Sequence, residues 1–409
     1  MRSLSNKISK IGPGALIAAA FIGPGTVTVC SIAGNSFGYS LLWAILTSLI
    51  IAFILQEMSI RVGIISKKGL TELIKNETKN SYLKNILLVL IFTAIIIGNT
   101  AYEAGNISGA ILGMESLTGN LAYNFRDFNI NLLSLIIGSL AFLILFIGNY
   151  RLLEQILISI VVIMSFSFII SAIITKPDIN KIIEGFIKLK TPQNSFLTIL
   201  GLIGTTVVPY NIFLHSSLVK KKWNKPKDLK IAKIDLLIAI IMGGLISISI
   251  IITSASISST SISNAADLAL SLAPVYGSFS KFLISLGMIS AGLTSAITAP
   301  LAASFVACGC FGWRADLKSL KFRSIWIIIL IIGTIISSTG IKLILIIQFA
   351  QIANAILLPI IIFILYYVMN DKKIFGSYSN SFFQNLIGVF IFFLTVYLSI
   401  RTISSFIYF

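Results

Sequence analysis

The sequence predicts an all-α membrane protein that crosses the bilayer many times, and three observations carry that prediction. Hydrophobic residues make up 56% of the 409 residues, and charged residues only 11%, where a soluble domain carries about 25%. Mean hydropathy is +0.98 over the whole length. The charges are also confined: none falls between Lys10 and Glu57, which leaves room for two spans of roughly 20 residues each. A water-soluble globular domain, a disordered chain and a collagen are excluded by the same composition. Three cysteines cannot staple a disulfide scaffold of this size.

Walking from charge to charge gives eleven spans, near residues 12–35, 39–60, 84–114, 130–149, 153–175, 195–219, 234–255, 283–308, 324–341, 343–369 and 383–408. The start, Arg2, Lys7 and Lys10 before an apolar run, has the form of a secretory signal peptide. The run continues to Leu55, however, so it reads as a first span that is kept. Residues 256–282, rich in Ser and Ala with Asp267 and Pro274, read as an extramembrane hairpin or a short interfacial helix. Lys342 separates spans 9 and 10 with almost no loop.

A net charge of +17 would suggest nucleic acid in a soluble protein. Here the distribution of cations matters instead, because short cytoplasmic loops collect Lys and Arg. With the N-terminus inside, 23 cations fall in cytoplasmic segments and 7 outside, with Arg401 inside the last span. The expected protein is therefore multi-pass in the plasma (inner) membrane, N-terminus cytoplasmic and C-terminus outside. Lys176, Lys181, Lys188 and Lys190 form the one outer cluster that resists this assignment. The bilayer is the expected partner, nucleic acid is not, and the chain is expected to be monomeric.

Two spans carry corresponding interruptions. Span 1 contains Gly23-Pro24-Gly25-Thr26 in its middle and span 6 contains Val208-Pro209-Tyr210-Asn211. A mid-span proline removes a backbone hydrogen bond, and Gly25 would let the chain bend. Irregular backbone at that depth is tolerated only where protein or a wet cavity satisfies it. Two interrupted helices five spans apart are the sequence sign of an inverted-repeat transporter. The chain then forms a single transmembrane domain over 1–409, with one repeat at about 12–175, a second at about 195–369 and an extra helix at about 383–408.

Several polar residues inside spans need a reason. Glu103 lies midway along span 3, where an ionisable residue is a functional candidate by default. His215, the only histidine, follows Asn211 by one helical turn. With Glu103 it forms a candidate proton pathway, since His titrates near neutral pH. Gln351 and Asn354 share one face of span 10 and could line a cavity or bind helices together. Glu57 and Arg61 have the spacing of an i,i+4 ion pair, fit for a gate or clamp. Gly105-x-x-x-Gly109 reads as close helix packing, and Cys30, Cys308 and Cys310 as small packing residues without metal-ligand partners. No nucleotide loop or catalytic triad order appears, so neither an enzyme nor a cofactor is expected.

Over nearly its whole length the chain resembles the NRAMP family of divalent-metal transporters. The resemblance rests on Gly23-Pro24-Gly25-Thr26, on Gln56-Glu57-Met58 through Arg61-Val62-Gly63, and on Lys68-Gly69-Leu70-Thr71-Glu72-Leu73. It rests also on Glu103-Ala104-Gly105, on Gln351 eight residues before Pro359, and above all on the run from Gly204 to Ser216. It implies a leucine-transporter-like fold of 5+5 inverted repeats plus an eleventh transmembrane helix, and proton-coupled uptake of manganese, iron and related metals. The site departs from that pattern. The family's span-1 aspartate and asparagine positions hold Gly23 and Thr26, and its span-6 methionine and histidine positions hold Val208 and Tyr210. Asn211 matches, while the acidic position one turn before Glu103 is Thr100.

Losing a carboxylate and a thioether together removes both charge and the softness that selects transition metals. The substrate-binding set expected here is Gly23, Thr26, Thr205, Val208, Tyr210, Asn211 and Gln351, with metal ligation open. The expected function is secondary active transport of a cation by alternating access through an altered site, with protons as the candidate coupling ion. The alternatives are transport of a non-metal solute, or a non-transporting sensor that keeps the fold and would need a soluble domain to pass its signal on.

Overall fold

A computed structural model of the chain describes residues 22–125, 128–148, 151–223, 225–256, 262 and 264–407. The first half of span 1 lies outside these residues. Within them the predicted spans appear in order as helices: Pro24–Phe37, Leu42–Ser66, Ser81–Thr118, Leu132–Ile147, Arg151–Ile174, the pair Phe196–Thr206 and Pro209–Lys222, Leu229–Ala255, Ser280–Phe311, Leu320–Ser338, Leu343–Met369 and Phe382–Ile407. A short helix, Leu70–Glu77, follows span 2, and another, Ile179–Ile187, follows span 5. The described strands, Ala122–Phe125 and Phe128–Asn131, pair antiparallel between spans 3 and 4.

Helix ends are set by local chemistry. Asn80 caps span 3 by accepting from the Tyr82 and Leu83 amides, and Asn131 caps span 4 by accepting from Leu133, as short polar side chains do at N-caps. Gly312, in the left-handed region at φ 71°, closes span 8, a conformation glycine adopts without cost.

Span 3 is the packing centre, contacting spans 8, 10, 9 and 4. Its glycines are the reason these helices approach closely. A Cβ at Gly105 would press on Ala350 of span 10, one at Gly109 would overlap Pro24 of span 1, and one at Gly113 would meet the Ser285 carbonyl of span 8. The rim is apolar and outward-facing, with Leu143 on span 4, Ile163 on span 5 and Phe393 on span 11 all exposed, as a lipid-facing surface requires.

Of the two expected forms, hairpin or short interfacial helix, residues 264–279 take the helical one. Short helical turns, Ala265–Ala269, Leu270–Leu272, Ala273–Tyr276 and Gly277–Phe279, run directly into span 8. Ala265, Leu268 and Leu272 are buried, so this Ser/Ala-rich stretch packs as a helical lead-in.

Candidate functional site

The second halves of the two interrupted spans begin alike among the described residues. Gly23 is extended at φ −90° and ψ 173°, and helix begins at Pro24. In span 6 the first half ends at Thr206, Val207 and Val208 are non-helical, and the second half begins at Pro209. Proline suits the first helical position because its missing N–H would find no partner there and its φ is already helical. Pro209 thus starts a second half-helix rather than kinking a continuous one, and Pro24 opens the described helix of span 1. Gly25 is helical, so the bend expected at that residue lies two residues earlier. Its small size serves a different purpose, because a Cβ there would overlap the Gln351 amide.

The broken spans meet through hydroxyls: Thr26 Oγ1 lies 2.7 Å from Thr205 Oγ1, both buried. Gln351 of span 10 sits over this contact, against Gly25 with its side chain and against Gly204 with its carbonyl. Asn211 Oδ1 and Gln351 Oε1 are buried without a hydrogen-bond partner. Leaving such acceptors unpaired is costly, and it marks them as available to a ligand. Tyr210 packs edge-to-face on Tyr102 of span 3 at 5.7 Å. The Tyr102 hydroxyl and Ser295 Oγ both border Gly23.

The expected binding residues therefore share one neighbourhood at the breaks, while the expected proton pair does not meet. Glu103 is wholly buried against Gly333 of span 9, and neither carboxyl oxygen has a hydrogen-bond partner. His215 faces span 2, with Nδ1 2.7 Å from Gln56 Oε1. Asn354 lies apart from Gln351, beside Gly98 of span 3. Among the described residues no group of three or more His, Cys, Asp and Glu side chains converges to hold a metal. The donors at the breaks are neutral oxygens.

The second half of span 6 is fastened on one side. Ser59 donates to the Ile212 carbonyl, Leu70 N–H donates to Ser216 Oγ, and Lys220 Nζ reaches Glu72 at 2.6 Å. Partial burial of Glu72 works to raise its pKa, but the Lys220 ammonium and the Gly69 amide prevail and hold it below 4.5. Nearby, Glu57 bridges two cations, Arg61 at 2.9 Å and Lys233 of span 7 at 2.6 Å. Arg61 also donates to the Tyr378 carbonyl and to Asn380 Oδ1. The expected i,i+4 pair is thus one edge of a network joining span 2, span 7 and the segment before span 11.

Sequence reasoning missed Tyr102, Ser295, Gln56 and Lys233. Tyr102 carried a signal, as a mid-span aromatic beside Glu103. Ser295 carried none, lying in a span with many small polar residues.

Two helices that each start on proline, crossed by a third span and faced by unpaired buried acceptors, define a polytopic membrane protein of the broken-helix class. A family model described as Natural resistance-associated macrophage protein-like (Nramp) matches residues 14–405, and the chain belongs to that family. It is similar to the divalent metal cation transporter MntH of Staphylococcus aureus strain JH9, at 28% identity over 98% of this chain and 93% of that protein. Its fold is similar to a manganese transporter from Eremococcus coleocola, solved with an aromatic bis-isothiourea compound. That match has a TM-score of 0.76 at 20% identity, over 96% of this chain and 86% of the other. A nucleobase-cation-symport-1 family transporter, Mhp1, matches at 0.55 and 15% identity, over 89% and 80%.

Proposed function

We propose that this chain is a secondary active transporter that moves a divalent metal cation by alternating access, holding its cargo with neutral oxygens and no carboxylate. The observation that carries this reading is the Thr26–Thr205 contact across the two broken spans, with unpaired Asn211 and Gln351 oxygens in the same neighbourhood. Neutral oxygens suit a hard cation that keeps part of its water shell. They offer no soft donor to prefer manganese over magnesium. Rocking of spans 1 and 6 against the rest would expose the cargo to each side in turn. Glu103 and His215 supply the titratable groups for proton coupling. With the N-terminus inside, the Glu57–Arg61–Lys233 network lies at the cytoplasmic end of span 2 and closes it.

Uptake by proteoliposomes of the purified chain, measured with manganese and magnesium in competition, tests the reading. The two ions should be taken up within about tenfold of one another, and Asn211→Ala should reduce both. Preference for manganese beyond about a hundredfold, or Asn211→Ala without effect, would overturn it. The Tyr102–Tyr210 pair beside Gly23 favours a second reading, a small neutral solute packed against aromatic rings, which competition by unlabelled solutes in the same vesicles would reveal.

A further inference from the structure

The helix Ile179–Ile187 is strongly two-sided. Ile179, Ile183 and Ile187, one turn apart, are 69%, 49% and 72% exposed, and Leu189 beyond them is 71% exposed. Four lysines, Lys176, Lys181, Lys188 and Lys190, stand in the same segment against two acids, Asp178 and Glu184. Lys188 and Lys190 share the Glu184 carboxylate at 2.9 and 2.8 Å, while Lys181 has Asp178 only at 3.8 Å. The helix is fastened to the turn between spans 1 and 2. Gly185 backs onto the Tyr39 carbonyl, where a Cβ would overlap, and the Trp43 indole donates to the Lys190 carbonyl at 2.9 Å. Between helix and turn lies a cavity of about 410 Å³ bordered by Tyr39, Ser40, Lys181, Glu184 and Lys190.

We propose that this cavity binds the phosphate headgroup of an anionic phospholipid, and that helix Ile179–Ile187 lies in the headgroup layer with its isoleucine stripe toward the acyl chains. An exposed apolar stripe bordered by lysines is the signature of a helix lying in the interface plane. The stripe selects lipid over free phosphate, because a soluble anion would leave it in water. Lysines near an anionic surface each add attraction, and a surplus of them over acids explains why this segment resists the rule that places cations inside. The bound lipid would brace the turn from which the second half of span 1 and span 2 diverge.

The test uses the full chain in detergent, equilibrated with equal amounts of phosphatidylglycerol and phosphatidylcholine and read by native mass spectrometry. Phosphatidylglycerol should be retained preferentially. Lys181→Gln and Lys190→Gln should each lower that preference about fivefold, and Glu184→Gln, which frees two ammoniums, should raise it. A nitroxide on Ile183→Cys should collide with oxygen more than with an aqueous nickel chelate, and the three native cysteines are buried. Equal retention of the two lipids, no change in the lysine variants, or a nitroxide favouring nickel would overturn the proposal. So would displacement of the lipid by millimolar inorganic phosphate, which would make the cavity a free-anion site.

Discussion

A carboxylate at position 23 together with a thioether at position 208 should confer tight manganese binding, and the structure bears on how. A Cβ at position 23 would stand 3.5 Å from Ser295 Oγ and 3.5 Å from the Tyr102 hydroxyl, ordinary contact distances, and φ of −90° suits any residue. Gly23→Asp therefore adds its Cβ in ordinary contact and without backbone strain. It does so at an N-cap that has no side-chain hydrogen bond, where aspartate is a favoured residue and the half-helix dipole adds about 0.5 kcal/mol. Val208 caps the other half-helix and is 1% exposed. Val208→Met lengthens a buried side chain, at a cost of about 1 kcal/mol of stability, and supplies a thioether.

The wild type should bind manganese at roughly millimolar affinity, about 4 kcal/mol, and the double variant at roughly micromolar, about 8 kcal/mol. Each single substitution should fall between. A carboxylate alone gives charge without softness, and a thioether alone gives softness without charge. Titration calorimetry on purified protein, with thermal unfolding as the control for folding, reads both quantities. Micromolar binding by the wild type would refute the claim that the site has lost its metal selectivity. A folded double variant that binds no manganese would refute the claim that the donors at the breaks remain arranged for a metal.

Glu103→Gln and His215→Ala should each abolish or flatten the pH dependence of uptake while leaving the unfolding midpoint close to wild type, measured in proteoliposomes and by thermal shift. Arg61→Ala should destabilise the protein by about 3 kcal/mol, the lower end for breaking a buried pair, because Lys233 still faces Glu57; denaturant unfolding checks it. The folded-state pKa of Glu72 is depressed, so its contribution is complete above 4.5 and lost as pH falls through the lower folded value. Hydrogen exchange of the Leu70–Glu77 helix should accordingly rise in that acid window, and Glu72→Gln should abolish the rise. A reporter fused after Phe409 should lie outside the cytoplasm and one inserted near Lys225 inside, and both on one side would refute the eleven-span count.

How much was legible in the sequence follows from the range over which each residue acts. Pro24 and Pro209 act on their own helix, by removing one N–H and fixing one φ, so the break in span 6 and the helix start at Pro24 could be placed to within a few residues. The span boundaries were legible for a related reason, since twenty apolar residues need no distant partner to declare themselves. Lys233 shows the opposite case. Glu57 already had a satisfactory cation one turn away, so nothing local called for a second, and the partner that closes the network comes from another span.

Side-chain direction is where local periodicity stops deciding. Gln351 and Asn354 share one face of span 10, yet three residues on a helix differ by about 60° of rotation. At the close approaches allowed by Gly25, Gly98 and Gly204, that angle sends one side chain to the broken spans and the other to span 3. Glu103 and His215 were grouped because they are titratable residues inside spans, a chemical criterion with no geometry in it. The packing sets the stem of Glu103 against Gly333 and the ring of His215 against Gln56, so the proposed proton pathway would use two separate stations. In the proposed motion a proton at His215 would travel with span 6, while a proton at Glu103 would stay with spans 3 and 9, and each variant should therefore flatten the pH profile on its own.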